Sequence, residues 1–176
     1  SLFDLGTGSL AELAVVPENM AAPKPENLDF VQAASVPMVG LTSWQALRER
    51  ANIQKGQKVF IPAGSGGIGT FAIQLAKHFG AKVGTTTSTG NVPLVSGLGA
   101  DEVIDYKKQQ FEKVLRGYDV VLGTLRGDEI EKSIDILKPG SKIVSLIGPL
   151  DAAFASARRL NFVLKFVFGL MSRKIM

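Results

Sequence analysis

The chain has 176 residues, of which 45% are hydrophobic and 20% charged, a composition typical of a globular protein with one well-formed core. It has no cysteine and one histidine, His78, which excludes disulfides, cysteine-based zinc sites, thiol nucleophiles and sites built from several histidines. The formal net charge is +4, but residues 152–176 carry five basic and no acidic residues, which leaves −1 for the remainder. The charge pattern therefore excludes the broad basic face of a nucleic-acid binder.

The amino-terminal stretch differs from the rest of the chain. Residues 11–16 predict a strand with no crossover helix after it, and prolines at 17, 23 and 25 indicate a linker. Residues 29–34 and 39–51 then predict two helices. The first 13 residues show no signal peptide, which favours a cytoplasmic protein.

Residues 59–69 combine a short apolar run with a glycine-rich turn. Gly64, Gly66 and Gly69 fit the pattern GxGxxG: the first permits a tight turn, the second lets the backbone approach a diphosphate, and the third lets helix and strand pack closely. The free amides and dipole of the following helix favour an anion there. Because the pattern also fits an ordinary loop, the residues that flank it on either side decide whether it belongs to a dinucleotide-binding unit.

Those flanks have the order of a crossover unit. Apolar residues recur at helical spacing from Ile68 to Phe79, and Gly80 stands where a glycine ends a helix. Residues 82–87 follow as a β-branched run typical of a strand. This order indicates a dinucleotide-binding unit. His78, near the end of the helix, is expected to be a surface or capping residue.

The end of the second strand bears on the cofactor. Sites that select NAD place an acidic residue there, which accepts hydrogen bonds from the adenosine ribose. Residues 85–91 contain no carboxylate and several hydroxyls, which favours NADP(H) over NAD(H). The alternative is a strand end that is rich in threonine for β-propensity alone.

Further strands are predicted at residues 102–106, 118–122 and 142–147. A helix is predicted over 128–138, with Pro139 and Gly140 as its stop. Strands joined through helices predict an α/β fold, a Rossmann-type doubly wound parallel sheet covered on both faces. Pro62 fits only if the first strand ends before it, because proline cannot donate to the ladder.

The basic carboxyl-terminal segment contains an apolar run at residues 160–171, too short and interrupted to span a bilayer. The alternatives are an amphipathic helix on a membrane surface and, favoured here, a helix that packs against a partner subunit or another part of the protein.

Several segments occur in the register of one known family: residues 11–18, 40–47, the glycine turn, 74–77, 99–101 and 103–106. Up to about Pro149, the chain resembles the zinc-independent quinone oxidoreductase branch of the medium-chain dehydrogenase/reductase superfamily. The resemblance implies a tail of a GroES-like β domain and linker at residues 1–28 and a Rossmann domain at 29–150, followed by a basic helical segment at 151–176. It also implies a cofactor-binding part that lacks most of the substrate domain and has little turnover alone.

The activity that the resemblance implies is hydride transfer from NADPH to a small-molecule acceptor, a quinone or an activated alkene, without a metal. The full-length protein is expected to be a homodimer. The implied cofactor-binding residues are Gly64, Ser65, Gly66, Gly67, Ile68 and Gly69 for the diphosphate; Ser88, Thr89, Asn91 and Tyr106 near the 2′-phosphate; and Thr42, Gly123, Thr124, Leu146, Ile147 and Gly148 near the nicotinamide. No residue is assigned as a catalytic acid or base.

The chain departs from the family pattern at two positions. Asn91 stands where relatives often carry a lysine that binds phosphate, which weakens the NADP preference, and Gly123 stands where many carry aspartate. The run at residues 119–127 resembles the enoyl reductase domains of fatty-acid and polyketide synthases. An enoyl thioester reductase and a non-catalytic nucleotide-binding module therefore remain alternatives.

Two other classes that bind nucleotide cofactors are disfavoured. A methyltransferase normally has an acid at the end of the second strand, and residues 85–91 offer none. A short-chain dehydrogenase needs a tyrosine followed four residues later by a lysine. Tyr106 and Tyr118 are followed at that spacing by Gln110 and Leu122.

Overall fold

The computed structural model describes residues 12–124 and 128–146. The chain divides into two compact units, one ending at Pro37 and one beginning at Met38. In the first unit, residues 13–17 have no regular secondary structure, and Glu18–Met20 form a short 3₁₀ turn. The strand predicted over residues 11–16 is therefore wrong for the described residues 12–16. A strand requires a hydrogen-bonded neighbour, whereas Leu13 and Val15 are almost fully exposed.

One continuous helix replaces the two helices predicted over residues 29–34 and 39–51. Helix α1 spans Phe30–Trp44 and continues as a π-helical segment, Gln45–Arg50. Its start is fixed by a reciprocal cap, since the Gln32 amide donates to Asp29 Oδ1 (2.7 Å) and the Asp29 amide donates to Gln32 Oε1 (3.1 Å). The predicted gap between these helices is instead helical and contains Pro37, since a proline removes one backbone donor without necessarily ending a helix.

The second unit contains a five-stranded parallel sheet. Its strands are β1 Lys58–Ile61, β2 Lys82–Thr87, β3 Glu102–Asp105, β4 Tyr118–Gly123 and β5 Leu137–Ser145. They lie in the order β3-β2-β1-β4-β5. The connecting helices are α2 Gly67–His78, α3 Val92–Gly97, α4 Phe111–Val114 and α5 Glu129–Ile134. The predicted Rossmann-type α/β fold is confirmed, with its change of direction between β1 and β4.

Side chains of β1 alternate between two cores, one on each face of the sheet. Val59 and Ile61 belong to the core that contains the apolar face of α2. Phe60 points to the other core, where it stacks on Phe111 (ring centroids 4.7 Å apart) and meets the edge of Tyr118 (5.9 Å). A strand buried on both faces is apolar at successive positions, which explains the run before the glycine turn.

The strand ends agree with the proline positions. β1 ends at Ile61, so Pro62 lies outside the ladder as the sequence required. Helix α5 is shorter than predicted, and β5 begins at Leu137 and includes Pro139 and Gly140. The register shifts there: Leu137 pairs with Tyr118, and pairing resumes between Lys142 and Val120. The bulge accommodates the proline and the positive φ of Gly140 (81°), so these residues interrupt a strand rather than end a helix.

Within the residues that the structure describes, no helix is long and apolar enough to cross a membrane.

Gly84, in the middle of β2, makes room for the ring of Tyr118. A Cβ at Gly84 would lie 2.7 Å from Tyr118 Cζ and even closer to the hydroxyl oxygen. Tyr118 is fully buried, and this burial raises the pKa of its hydroxyl. The Lys58 ammonium lies 4.7 Å from the ring centroid. The ring therefore cannot move without disturbing the core around Phe60.

We predict that Gly84→Ala lowers the free energy of unfolding by about 1–3 kcal/mol, because the added methyl group overpacks a filled site. Gly97→Ala is the matched control: a Cβ there would have no neighbour within 4 Å, and we expect a change within about 0.5 kcal/mol. Urea denaturation of both variants measures the difference. Equal stabilities would show that Tyr118 is not fixed by Gly84.

Candidate functional site

The turn between β1 and α2 is tied to the end of β2. The Gly64 amide donates to Thr86 O (2.9 Å), the Ala63 amide donates to Thr86 Oγ1 (3.0 Å), and the Gly66 amide donates to Ala63 O (2.9 Å). Ala63 has a positive φ of 54°, which is uncommon for a residue with a side chain. These bonds fix the turn at the carboxyl edge of the sheet, where open α/β folds bind ligands.

The three glycines of the motif differ in how the structure would tolerate a side chain. A Cβ at Gly69 would lie 2.7 Å from Gly64 Cα, and a Cβ at Gly64 would lie 3.0 Å from Ile73 Cδ1 and closer still to Thr85 Oγ1. Both positions are closed by packing. Gly66 is exposed, has φ −78° and ψ 168°, and a Cβ there would meet only Ala63 O at 3.3 Å. Folding thus requires Gly64 and Gly69, whereas Gly66 keeps the surface open.

Helix α2 begins without a side-chain cap. Its N-cap is Gly66, no side chain makes a capping hydrogen bond there, and the first turn has no acidic residue. The amides of Gly67, Ile68 and Gly69 have no acceptor within the helix, because the first turn of any helix leaves its donors free. The 12-residue helix adds its dipole to these donors. This end of α2 can therefore bind a diphosphate group.

The hydroxyl of Ser65 is oriented by two donors. Its Oγ accepts hydrogen bonds from Thr87 Oγ1 (3.0 Å) and Asn91 Nδ2 (3.2 Å). Because both lone pairs are used, the Ser65 proton is available for an outside acceptor, such as a phosphate oxygen. Asn91 also contacts Ser88 Oγ (3.4 Å), so it joins the glycine turn to the segment after β2.

The three threonines of β2 are used inside the protein. Thr85, Thr86 and Thr87 are all buried. Thr85 donates to Ile61 O (2.6 Å), and the hydroxyls of the other two residues contact the glycine turn as described above. The hydroxyls at the end of β2 therefore hold β1 and its turn in place, and those free to meet a cofactor begin at Ser88.

Thr89 lies next to a carboxylate that the sequence interpretation did not place there. Its Oγ1 donates to Asp105 Oδ2 (2.7 Å) at the end of β3. The bond from Thr89, the Lys107 amide on Oδ1 (3.0 Å) and the ammonium of Lys108 on Oδ2 (3.5 Å) hold the pKa of Asp105 below its usual value. Residues 85–91 contain no carboxylate, but Asp105 at the end of β3 brings one to Thr89. The only sequence sign was the position of Asp105 at a strand end.

Tyr106 follows directly, with its ring largely exposed and its amide bonded to Thr87 O (3.1 Å). Its side chain lines a cleft of about 470 Å³ that runs from the glycine turn towards α4 and α5. The lining residues are Ala63, Thr86, Tyr106, Gln109, Gln110, Phe111, Glu112, Asp128, Glu129 and Lys132. The cleft is large enough for a nucleoside to lie with one face against it.

On the other side of the glycine turn, the ends of β1 and β4 are joined. Thr124 Oγ1 donates to Pro62 O (3.1 Å) across the point where the strand order changes direction. Gly123 is buried and pairs with Ser145, and its carbonyl accepts the Leu146 amide (2.9 Å). Ile147 and Gly148, predicted near the nicotinamide, lie outside the described residues.

Thr42 belongs to the part of α1 that packs against the first turn of α2. The neighbouring Ser43 Oγ donates to Val39 O (2.7 Å) and is 3.3 Å from Ile68 O. The Thr42 hydroxyl donates to Met38 O (2.7 Å). The Thr42 oxygen can still accept a hydrogen bond.

Glu129, at the start of α5, lines the cleft with a perturbed carboxyl group. Its partial burial, followed by the charge of Asp128, raises its pKa from 4.5 to about 7, and Lys132 only partly offsets this. The sequence interpretation did not single out Glu129. Its position in the first turn of a helix gave no sign of burial, since acidic residues there are common.

We predict that Gly66→Ala weakens binding of a nicotinamide dinucleotide at least about tenfold, while the free energy of unfolding changes by less than about 1 kcal/mol. The added methyl group would occupy the surface where a diphosphate approaches the α2 amides. Gly64→Ala is the contrasting variant and should destabilise the protein by about 1–3 kcal/mol. Calorimetric titration and urea denaturation measure both. Unchanged affinity in Gly66→Ala would contradict the role given to this surface.

We also predict a pH-dependent effect of Glu129→Gln. Because the folded-state pKa of about 7 lies above the unfolded value near 4.5, the wild-type protein loses stability as pH rises between them and is constant above pH 7. Removing the charge should raise the free energy of unfolding by about 1 kcal/mol at pH 8 and not at pH 4. Asp135→Asn, an exposed change just beyond α5, is the control. An equal effect of Glu129→Gln at both pH values would rule out the raised pKa.

Comparison with known proteins places the chain in a family. Residues 67–171 match the family described as zinc-binding dehydrogenase. The chain is 43% identical to the 2-methylene-furan-3-one reductase of Solanum lycopersicum, over 80% of this chain and 36% of the relative. It is 42% identical to the chloroplastic NADPH-dependent alkenal/one oxidoreductase of Arabidopsis thaliana, with the same two coverages. The chain thus spans little more than a third of the length of these relatives.

Solved structures give the same assignment. The quinone oxidoreductase from Coxiella burnetii superposes with a TM-score of 0.70 at 34% identity, covering 87% of this chain and 52% of that one. The CurK enoyl reductase superposes with a TM-score of 0.70 at 28% identity, covering 88% and 52%.

The zinc in the family description does not fit the residues of this chain. Zinc sites are built from cysteine, histidine and carboxylate ligands, but the chain has no cysteine and one histidine, the exposed His78. In the described ranges, no three such residues come together as a metal site. A nicotinamide dinucleotide does fit, because the uncapped turn of α2 and the free proton of Ser65 suit a diphosphate. The chain belongs to the zinc-binding dehydrogenase family and, within the medium-chain dehydrogenase/reductase superfamily, is similar to its quinone oxidoreductases.

Proposed function

We propose that the chain is the cofactor-binding part of an NADP(H)-dependent oxidoreductase that reduces a quinone or the carbon–carbon double bond of an enone. The observation that carries the proposal is the first turn of α2, with free amides, no acidic residue and an open surface at Gly66. This combination binds a diphosphate and serves no packing need. An ordinary loop would not require the surface at Gly66 to stay open.

The preference for NADP(H) rests on the segment after β2. Strand β2 contains no carboxylate, and Ser88, directly after the buried Thr87, offers a hydroxyl to the cofactor. The relative from Arabidopsis thaliana is named as NADPH-dependent. We place the 2′-phosphate beside Ser88, Thr89, Asn91 and Tyr106, and the diphosphate on residues 64–69.

NADPH, when bound, supplies a hydride to the acceptor. The chain contributes position: Thr124 links the ends of β1 and β4, and Gly123 and Leu146 line the same edge. Thr42 approaches from α1, and its oxygen can accept a hydrogen bond from the carboxamide of the nicotinamide. These contacts orient the reacting face and keep water from it, which is the main task of a protein in cofactor-borne chemistry. We assign no residue of this chain as proton donor.

The acceptor is proposed from the names of the relatives, which include a furanone reductase, an alkenal/one oxidoreductase and a quinone oxidoreductase. A second candidate is an enoyl thioester. It is favoured by Gly123, which ends β4 without a carboxylate, and by the similarity to an enoyl reductase. The proposal also divides the chain into domains, with the end of a GroES-like domain at residues 1–28 and the Rossmann domain at residues 29–150. It further includes a homodimer and a cytoplasmic location.

The cofactor proposal predicts that NADPH binds with a Kd in the micromolar range and more tightly than NADH, and that S-adenosylmethionine does not bind. Trp44, the one tryptophan, packs against Phe79, the residue that follows α2 (ring centroids 5.6 Å apart), and its fluorescence is used to follow the titration. Calorimetry gives an independent Kd. Absence of binding by both nicotinamide dinucleotides would reject the proposal.

The acceptor is tested by following NADPH absorbance with a simple enone, a benzoquinone and an enoyl thioester offered separately. We expect the enone or the quinone to be reduced fastest, because the relatives named above act on such groups. Fastest reduction of the thioester would favour the second candidate. Binding of NADPH without consumption by any acceptor, in a protein extended to the full length of its relatives, would indicate a non-catalytic nucleotide-binding module.

A further inference from the structure

We propose that Lys108 is the cation that recognises the 2′-phosphate of NADP(H), and that Asp105 is the residue that positions it. This inference rests on the proposed function. Relatives often carry a phosphate-binding lysine at the position of Asn91, and Lys108 would supply that cation from another part of the chain. Lys108 lies 17 positions further along the chain, after β3 rather than β2.

The Lys108 ammonium lies beside a carboxylate oxygen that it shares with Thr89. Asp105 Oδ2 accepts the hydroxyl of Thr89 (2.7 Å) and the ammonium of Lys108 (3.5 Å). The ammonium is therefore held beside Thr89, in the segment where a 2′-phosphate is expected. Oδ1 accepts the Lys107 amide (3.0 Å), which fixes the turn that carries Lys108. The carboxylate itself is nearly buried, with 9% of its side chain exposed.

Lys108 is free to contact a phosphate while it keeps this position. Its side chain is 69% exposed, and its contact with Asp105 is long for an ion pair. An ammonium has three donors, of which one points to Asp105 and the others are open to solvent. A loose, exposed ion pair contributes little by itself, so a phosphate can share the ammonium at small cost.

Two of the neighbouring polar groups, Thr89 and Asn91, already bond elsewhere and carry no positive charge. The Thr89 proton is already donated to Asp105, so the Thr89 oxygen can only accept a hydrogen bond and does not donate to a phosphate. Asn91 is engaged with Ser65. Two other lysines are paired elsewhere: Lys77 with Asp101, and Lys132 with Asp128. A dianionic phosphate between Ser88 and Tyr106 would otherwise face the charge of Asp105 without compensation.

The test compares Lys108→Gln with Lys107→Gln, a neighbouring exposed lysine that the proposal does not use. Lys108→Gln should raise the Kd for NADPH about tenfold and change the Kd for NADH less than twofold, while Lys107→Gln changes neither by more than twofold. The tenfold effect should shrink in high salt, because the interaction is between partly exposed charges. Calorimetry of each variant with both dinucleotides gives the values.

Asp105→Asn separates positioning from a purely structural role. Without the carboxylate that holds the Lys108 ammonium, Asp105→Asn should raise the Kd for NADPH several-fold and change the Kd for NADH less than twofold, in the same direction as Lys108→Gln. Thermal unfolding of the variant shows whether it folds; if it does not, Lys108→Gln decides alone. Equal losses of affinity for both dinucleotides, or an unchanged affinity for NADPH, would contradict the role of Asp105.

The outcomes distinguish this inference from the function on which it rests. If the wild-type chain binds neither dinucleotide, the proposed function fails. If the wild-type chain binds NADPH and Lys108→Gln binds it equally well, the function stands and the assignment of Lys108 is rejected.

Discussion

The site depends on the backbone contact between Gly64 and Gly69. Because neither residue has a side chain, the first turn of α2 lies directly against the end of β1, at a distance that no Cβ permits. A larger residue at either position would push the helix away from the sheet. The amides of Gly67 and Ile68 would then point elsewhere, and a diphosphate would lose the donors that the fold offers it.

The threonines of β2 maintain this arrangement from the neighbouring strand. Thr85 bonds the backbone of β1, Thr86 bonds the turn, and Thr87 orients Ser65. The sequence left two interpretations of this run, β-propensity or phosphate recognition. The structure gives a third role, since these buried hydroxyls satisfy polar groups of the adjacent turn. Phosphate recognition is thereby moved to the exposed residues after Thr87.

Local signals explain what the sequence predicted correctly. The bounds of β2 follow from β-branching, and the end of α2 shortly before Gly80 follows from the positive φ of that glycine (77°); both are properties of the residues themselves. Helices α3 and α4, with six and four residues, were missed because such short helices show no period. The pairing of Thr89 with Asp105 was missed because it joins two strand ends 16 residues apart. Only the sheet order brings them together.

Charge is distributed unevenly along the carboxyl edge, and the distribution agrees with an ordered dinucleotide. Positive potential is concentrated at the start of α2 and at Lys108, where phosphates would lie. The cleft beyond Tyr106 is instead lined by three carboxylates, of Glu112, Asp128 and Glu129, and by one cation, Lys132, so that acidic groups outnumber basic ones there. The raised pKa of Glu129 reduces that negative charge near neutral pH, so the cleft suits an uncharged nucleoside better than an anion. Electrostatics thus favours one direction of binding, with the adenosine towards α5 and the diphosphate over Gly66.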